Sequence, residues 1–310
     1  MRILVTGAAG FIGMHVARAL LARGDAVHGL DSLNLDYDPA LKRARLRELE
    51  RHPQFRFTQS DIADEPAMDE VAAELGQEPC AIVHLAARRA RLPAVSPLEQ
   101  VASDLEGHMV VLELCRRLPG LQHLVYASSA RGKTSAAGDA VTRRADELLA
   151  QAYAQLYRIP QTGLRLHTVF GPWGRPDMAY YVFADAIAAG RPITLGDDGR
   201  MRCVLTYVDD AVAGVLAALD RPPPQDGASP HRIYDLRSDE PVDLDQLVRV
   251  LAETMGQPAD IRYAPARPGD VVETVADTVA AADLGWRLTT SIVDGLRRFV
   301  AWHRTWPASR

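Results

Sequence analysis

Glycines at positions 7, 10 and 13 follow a short apolar run, Arg2-Ile3-Leu4-Val5-Thr6, and no other feature restricts the fold of this chain as much. The run is too short and too β-branched for a helix, so it reads as a buried strand that ends at Gly7. In Gly7-Ala8-Ala9-Gly10-Phe11-Ile12-Gly13 the missing side chains let the backbone turn tightly and approach a ligand closely. Ile12, Val16 and Leu20 then recur at helical spacing, with Gly24 as the stop. Such a helix aims its first amides and the positive end of its dipole at the turn, which makes an anion site from main chain alone. A second strand, Ala26 to Leu30, ends in Asp31, 18 residues after Gly13. An acid at that place accepts hydrogen bonds from ribose hydroxyls. The unit is therefore expected to hold a dinucleotide, with Gly7, Gly10, Phe11, Ile12 and Gly13 at the pyrophosphate and Asp31 at the ribose. A 2′-phosphate beside Asp31 would meet like charge, which favours NAD over NADP.

The alternation continues down the chain. Phe55 to Thr58, Ala81 to Leu85, Leu121 to Ala127 and Thr162 to Leu166 are further runs of strand length, and His231 to Leu236 reads as a returning seventh strand. Strand and helix in turn predict an α/β fold, a Rossmann-like doubly wound parallel sheet whose ligands sit beyond the carboxyl ends of the strands. Those ends carry Asp61 and Ile62, then Leu85, Ala86 and Ala87, then Ser128 and Ser129. Asp61 and Ile62 suit an adenine edge and face, or else a helix cap ahead of Asp64 and Glu65, and both readings stand. Ala86 and Ala87 are small enough for close cofactor approach.

Helices are expected over Ala40 to Arg51, with Lys42, Arg43, Arg45 and Arg47 as a solvated face, and over Pro97 to Arg117, with Leu98, Val101, Leu105 and Leu112 on one stripe. Others are expected over Asp139 to Tyr157, with Val141, Ala145, Leu148, Ala152 and Leu156 inward, and over Thr206 to Asp220, Val242 to Met255 and Ser291 to His303. The apolar girth of Pro97 to Arg117 exceeds one contact face and suits a subunit interface as well. After Leu166 the rigid Gly171-Pro172-Trp173-Gly174-Arg175-Pro176 loop breaks the pattern. The expected division is a dinucleotide-binding domain over 1–166 with a return segment of about 203–237, and a second, smaller α/β substrate domain over about 167–202 and 238–310.

Composition excludes several classes. Hydrophobic residues at 47% and charged residues at 24% are those of a soluble globular chain. A net charge of −5 lacks the basic footprint of a nucleic-acid binder. Cys80, Cys115 and Cys203 are few and widely spaced, so each is expected as a small apolar residue rather than a disulfide partner or metal ligand, and no metal is expected. A strand from residue 2 leaves no room for a signal peptide, and no apolar run is long enough for a membrane span, so the expected location is the cytoplasm.

The glycine turn, His84-Leu85-Ala86-Ala87, Arg165 to Asp177 and Thr206-Tyr207-Val208-Asp209-Asp210 together resemble the extended short-chain dehydrogenase/reductase superfamily, within it the NAD-dependent nucleotide-sugar epimerase/dehydratase family. Leu164-Arg165, Thr168-Val169 and Gly171 to Ala179 are most similar to the UDP-glucuronate 4-epimerase branch, as is Asp31 followed by Leu33-Asn34. The resemblance implies a bound NAD that takes a hydride from C4 of a nucleotide sugar and returns it to the other face. It implies a Ser/Thr, here Ser129, and a Tyr that activate the hydroxyl, and a Lys four residues on that holds the ribose and lowers the Tyr pKa. It also implies a homodimer through Pro97 to Arg117 and Asp139 to Tyr157, and a sugar pocket drawn from Ser128, Thr168, Arg175, Arg202, Arg267 and Asp270, with Thr168 and Arg175 at a sugar carboxylate.

The chain departs from that pattern where the chemistry should be. Aligned on Ala140 to Leu148, the Tyr position holds Asp139 and the Lys position holds Arg143. Asp139 is a ring shorter than Tyr, and a carboxyl of intrinsic pKa about 3.9 beside Arg143 is a feeble base at neutral pH, so a helix cap paired with Arg143 is the plainer role. Asp104 replaces an Asn, Cys203 replaces a phosphate-binding Arg, and the loop before Asp139 is short. His167 has the right pKa to substitute, or is a packed strand histidine. Arg88, Arg89 and Arg91 with Arg131 and Lys133 form either a new anion site or a solvated loop. Two functions follow: an NAD-binding, UDP-glucuronate-like nucleotide-sugar protein that does not run the Tyr/Lys mechanism, or an active epimerase or dehydratase with a substituted acid/base.

Calorimetry should find NAD bound in clear preference to NADP. Asp31→Ala should weaken NAD by the lost ribose hydrogen bonds, about 1.5–3 kcal/mol each to a charged acceptor.

Overall fold

Ile3, Leu4 and Val5 are fully buried, as the middle strand of a sheet covered on both faces must be. This strand, β1 (Arg2–Thr6), pairs in parallel with β2 (Ala26–Asp31) on one side and β4 (Cys80–His84) on the other. With β3 (Phe55–Gln59), β5 (Leu121–Ser129), β6 (Gln161–Leu166) and β10 (His231–Leu236) the sheet has seven parallel strands in the order β10-β6-β5-β4-β1-β2-β3. Strand order reverses between β1 and β4, so the crevice of this Rossmann-like doubly wound sheet opens there.

The computed structural model describes residues 1–88, 97–129, 138–238, 240–265 and 281–306. Two units cluster by contact: 1–166 with 212–236 and 278–287, and 167–211 with 237–277 and 288–310. In the first, α1 (Phe11–Ala22), α2 (Pro39–Glu50), α3 (Glu65–Leu75), α4 (Pro97–Val101), α5 (Gly107–Arg117) and α6 (Gly138–Tyr157) flank the sheet. Capping chemistry sets two of the starts. Asp38 accepts from the Ala40 amide at 2.8 Å and Asp64 from the Ala67 amide at 3.2 Å, each with a proline in the first turn. Asp64 is thus the cap of α3, while Asp61 closes its own turn on the Ala63 amide at 3.0 Å. Among the described residues no helix is long and apolar enough to cross a membrane.

The second unit holds β7 (Thr168–Phe170), β9 (Arg202–Tyr207) and β11 (Pro241–Asp243) in one small sheet, and β8 (Ile193–Leu195) with β12 (Ile261–Tyr263) in another. α7 (Ala179–Ala188), α9 (Leu244–Met255) and α10 (Ile292–Thr305) belong to it, and α8 (Val208–Leu219) begins in it. In the first turn of α8, Asp210 takes the Thr289 and Thr290 amides and the Thr289 hydroxyl, which ties α8 to the approach of α10.

Several expectations need correcting. Thr206 and Tyr207 end β9 rather than open a helix, because they pair with Val169 and Phe170 of β7, and Val242 lies in β11. Pro97 to Arg117 is not one regular helix: a π-helical segment, Ala102–Glu106, lies between α4 and α5 and turns Asp104 inward, 1% exposed. Lys42 and Arg45 are buried rather than solvated, leaving water to Arg43 and Arg47. The stripe of α6 expected to face the core faces out instead: Val141 is 60% exposed, Leu148 55% and Leu156 72%. Its buried face is Thr142, Arg143, Asp146, Glu147, Ala150 and Ala154. On the neighbouring α4, Leu98 and Val101 are exposed as well.

Candidate functional site

The glycine turn is constrained from within. Gly7 adopts φ +71° and gives its carbonyl to the Gly10 amide at 2.9 Å. A Cβ on Gly7 would lie 2.8 Å from the Ala86 nitrogen, and one on Gly13 would lie 2.0 Å from the Gly7 carbonyl oxygen. No side chain caps α1 at Gly10, so its first amides are left to an incoming anion. The backbone and donor set thus fit a pyrophosphate.

Asp31 is 7% exposed, and both its oxygens are engaged: Oδ2 by the Ala9 amide at 3.1 Å, Oδ1 by the Leu33 amide at 2.9 Å and by Lys42 Nζ at 3.7 Å. Lys42 also donates to Asn34 Oδ1 at 2.6 Å. Arg45 donates to the Ala9 carbonyl at 3.1 Å and to the Tyr37 hydroxyl, and both cations lie over the Tyr37 ring. The reading from sequence missed Lys42, Arg45 and Tyr37. The spacing of 42, 45 and 49 places both cations on the face of buried Leu49, which was the available signal. Nearby, Ile62 is buried against the start of α5, where a Cβ on Gly107 would meet it at 2.5 Å.

At the ends of β4 and β5 the polar groups are buried. The Thr6 hydroxyl accepts from the Leu85 and Ala86 amides, both at 3.2 Å, and lies 2.7 Å from His84 Nδ1. With its acceptor capacity used by two amides, the hydroxyl gives its proton to His84. His84, His108, Tyr126 and His231 follow one another ring on ring at 5.3, 5.3 and 6.0 Å between centroids. Burial drives these histidines toward the neutral form, His84 well below its usual value, His108 to about 3 and His231 to about 4.

Glu147 accepts from Arg165 Nε and Nη2 at 2.6 and 2.7 Å, from Ser128 Oγ at 2.7 Å and from Arg144. Burial opposes its ionisation, but these donors outweigh burial and hold its pKa below the usual carboxylate value. Arg143, 7% exposed, donates to Asp146 Oδ2 at 3.1 Å and to the Ala127 and Ala86 carbonyls at 3.4 and 3.5 Å, with Asp104 at 3.9 Å. Asp104 also takes the Arg88 amide and the Thr142 hydroxyl, each at 3.0 Å. Burial, the largest cause, pushes Asp146 up to about 7, with Arg143 pulling it down and Asp104 raising it.

These positions revise one expectation, that for Arg88. The described carboxylate partners of Arg143 are Asp146 and Asp104, while the expected pair with Asp139 falls on a side chain outside the described residues; the Asp139 backbone lies in the first turn of α6. Arg88 is half-buried on Asp36 at 3.2 Å, neither an open anion donor nor a solvated side chain. Arg89, Arg91, Arg131, Lys133, Arg267 and Asp270 lie outside the described residues. In the second unit, His167 and Thr168 are half-buried at the start of β7, Arg175 makes a two-pronged pair with Asp177 at 2.9 and 3.0 Å, and Arg202 is exposed with Asp243 at 3.6 Å. Ser129, half-buried, ends β5. The three cysteines are unpaired, with Cys80 and Cys115 buried and Cys203 half-buried.

The chain matches the model of the NAD dependent epimerase/dehydratase family over residues 3–233. It is 35% identical to a Rhizobium meliloti protein named "Probable UDP-glucuronate 4-epimerase", over 98% of this chain and 97% of that protein. It is 36% identical to UDP-glucuronate 4-epimerase 4 of Arabidopsis thaliana, over 97% of this chain and 75% of that protein. Among solved structures, UDP-glucuronic acid 4-epimerase from Bacillus cereus in complex with UDP-glucuronic acid and NAD superposes with a TM-score of 0.87 at 26% identity, covering 98% of this chain and 99% of that one.

The raised pKa of Asp146 carries a sign. The folded state holds this proton more tightly than the unfolded chain, whose Asp titrates at about 3.9, so its contribution to stability falls as pH rises between those values and stays lost above about 7. Asp146→Asn should therefore gain stability relative to the parent on going from about pH 5 to about pH 8, read as the difference of two urea-unfolding curves.

Proposed function

Because the chain belongs to the NAD-dependent epimerase/dehydratase family, we propose that it binds NAD and a UDP-glucuronate-like nucleotide sugar but does not run the family's tyrosine and lysine mechanism. The support is the state of one side chain. Arg143 stands where the resemblance puts the ribose-holding Lys, and its guanidinium is already engaged by Asp146, Asp104 and two main-chain carbonyls. It can still offer a fixed hydrogen bond to a ribose. Paired with carboxylates and lacking a phenol at position 139, it has no proton acceptor to activate.

In this reading NAD supplies the hydride chemistry when bound. The chain's own part is to seat the pyrophosphate on the amides after Gly10, the adenosine ribose at Asp31 with Lys42 beside it, the adenine by Asp61 and Ile62, and the rest along Leu85, Ala86, Ala87 and Arg143. The first unit is thus the dinucleotide domain and the second the nucleotide-sugar domain. Asp177 fixes the plane of the Arg175 guanidinium, which suits Arg175, with Thr168, to a planar sugar carboxylate. Unpaired cysteines suit the reducing cytoplasm.

We also propose a homodimer through α4, α5 and α6. The outward stripe of α6 and the exposed Leu98 and Val101 on adjacent α4 form an apolar face for which a second copy is the fitting cover. Light scattering at micromolar concentration should give twice the chain mass, and Leu148→Glu with Leu156→Glu should give the monomer; a monomeric parent contradicts this assembly.

Product analysis after long incubation with NAD and UDP-glucuronate should show no C4 epimer above background. A positioned general base contributes roughly 10²–10⁴-fold, and without one a hydride leaving a protonated hydroxyl would strand a protonated carbonyl. Robust turnover would contradict the proposal, and its loss in His167→Ala or Asp139→Asn would identify the group that had taken over the proton.

A further inference from the structure

Asp146 is fully buried, and while Oδ2 takes Arg143, Oδ1 has no hydrogen-bond partner among the described residues. Leaving a buried carboxylate oxygen unmet is costly, so the group needs a reason to be there. Arg143 connects it to the Ala86 and Ala127 carbonyls, at the carboxyl ends of β4 and β5 where a doubly wound sheet takes its ligand. On the reading proposed above, position 143 holds the ribose that carries the nicotinamide. The ring there is cationic in NAD+ and neutral in NADH.

We propose that Asp146 is the counter-charge to the nicotinamide, acting through Arg143 so that its ionised form favours bound NAD+ over bound NADH. The inference rests on the NAD-binding reading. Charge balance decides its sign. Ionising Asp146 adds one negative charge beside Arg143, which a cationic ring balances. Protonating Asp146 removes that charge, and a buried cationic ring loses its counter-charge.

Several charged and titratable groups surround Asp146 and Arg143. Arg143 and Glu147 face Asp146 from its own helix, Asp104 from the π-helical segment and Tyr126 from β5, while its main chain meets His108 of α5. Around these, His84 of β4 faces Arg143 and His108, Arg144 and Arg165 face Tyr126, and His231 of β10 faces Glu147 and His108. Burial holds His84 well below its usual value, His108 at about 3 and His231 at about 4, Glu147 is held below the usual carboxylate value, and burial holds Tyr126 well above the usual phenol value. Asp146 itself moves to about 7, so its carboxylate fraction grows from about pH 5.5 to about pH 8.5.

Titration of the parent protein with NAD+ and with NADH at those two pH values tests this, because the two ligands share every group except the ring charge. NAD+ should gain about three- to tenfold in affinity relative to NADH as pH rises, the scale of one charge pair at an intermediate effective dielectric. Asp146→Asn should hold the ratio constant. A second readout needs no variant: calorimetry near pH 7 in two buffers of different ionisation enthalpy should show protons released with NAD+ and fewer with NADH. Both nucleotides binding with a pH-independent ratio, equal proton counts, or an Asp146→Asn ratio that follows the parent each overturn the inference while leaving NAD binding intact. Binding of neither nucleotide at either pH overturns it together with the reading on which it stands.

Discussion

The amide end of α1 sits so close over the end of β1 that a single methyl group at position 13 would come within 2.0 Å of the Gly7 carbonyl oxygen. Hydrogen bonds from neighbouring elements hold that approach. The Leu30 carbonyl accepts from the Gly7 amide at 2.7 Å, Asp31 accepts from the Ala9 amide, and Arg45 donates to the Ala9 carbonyl. The turn is therefore held by β2 and by α2 as well as by its own hydrogen bonds. These contacts fix the amides that follow Gly10, the condition a main-chain anion site requires.

The other half of the sheet edge is governed by buried charge. Glu147 joins Ser128 of β5, Arg165 of β6 and Arg144 of its own helix, so one carboxylate fixes α6 against two strands. Removing one partner of such a group leaves the other charge buried and unmet, which costs about 3–5 kcal/mol, whereas the intact set contributes little net stability. Its effect is on geometry. Because Glu147 fixes α6, the guanidinium of Arg143 four residues earlier reaches the Ala86 and Ala127 carbonyls rather than solvent. Position 143 is thus held by two carboxylates and directed at the strand ends. A free ammonium at that place would be a mobile point charge instead.

Much of the fold was legible because strand runs and helical repeats have different periods. Five of the seven strands of the main sheet lie within a residue or two of their expected spans, and the other two, β1 and β10, coincide with theirs. What was not legible was the direction in which an element faces. The apolar repeat of α6 marked a real stripe, but the polar residues beside it take the core, where Thr142 meets Asp104, Arg143 meets Asp146 and Glu147 meets Arg165. In α2 the cations looked solvated by composition, yet Asp31 and the Ala9 carbonyl offered buried partners to two of them. The π-helical segment around Asp104 leaves no mark in a periodicity of 3.6 residues. At the strand ends, the glycine turn and the acid that closes β2 stand out by spacing alone, while the burial of Asp146 against Arg143, with Asp104 of the π-helical segment nearby, leaves no such mark.

The account turns on whether a proton acceptor is missing at the nicotinamide end, and hydride transfer within one turnover tests that most directly. NAD-loaded protein mixed with excess UDP-glucuronate should develop no absorbance of reduced nicotinamide, because the hydride cannot leave C4 while the hydroxyl keeps its proton. Reduced nicotinamide appearing in proportion to the protein would contradict the account and would mean that this chain moves the proton by another route.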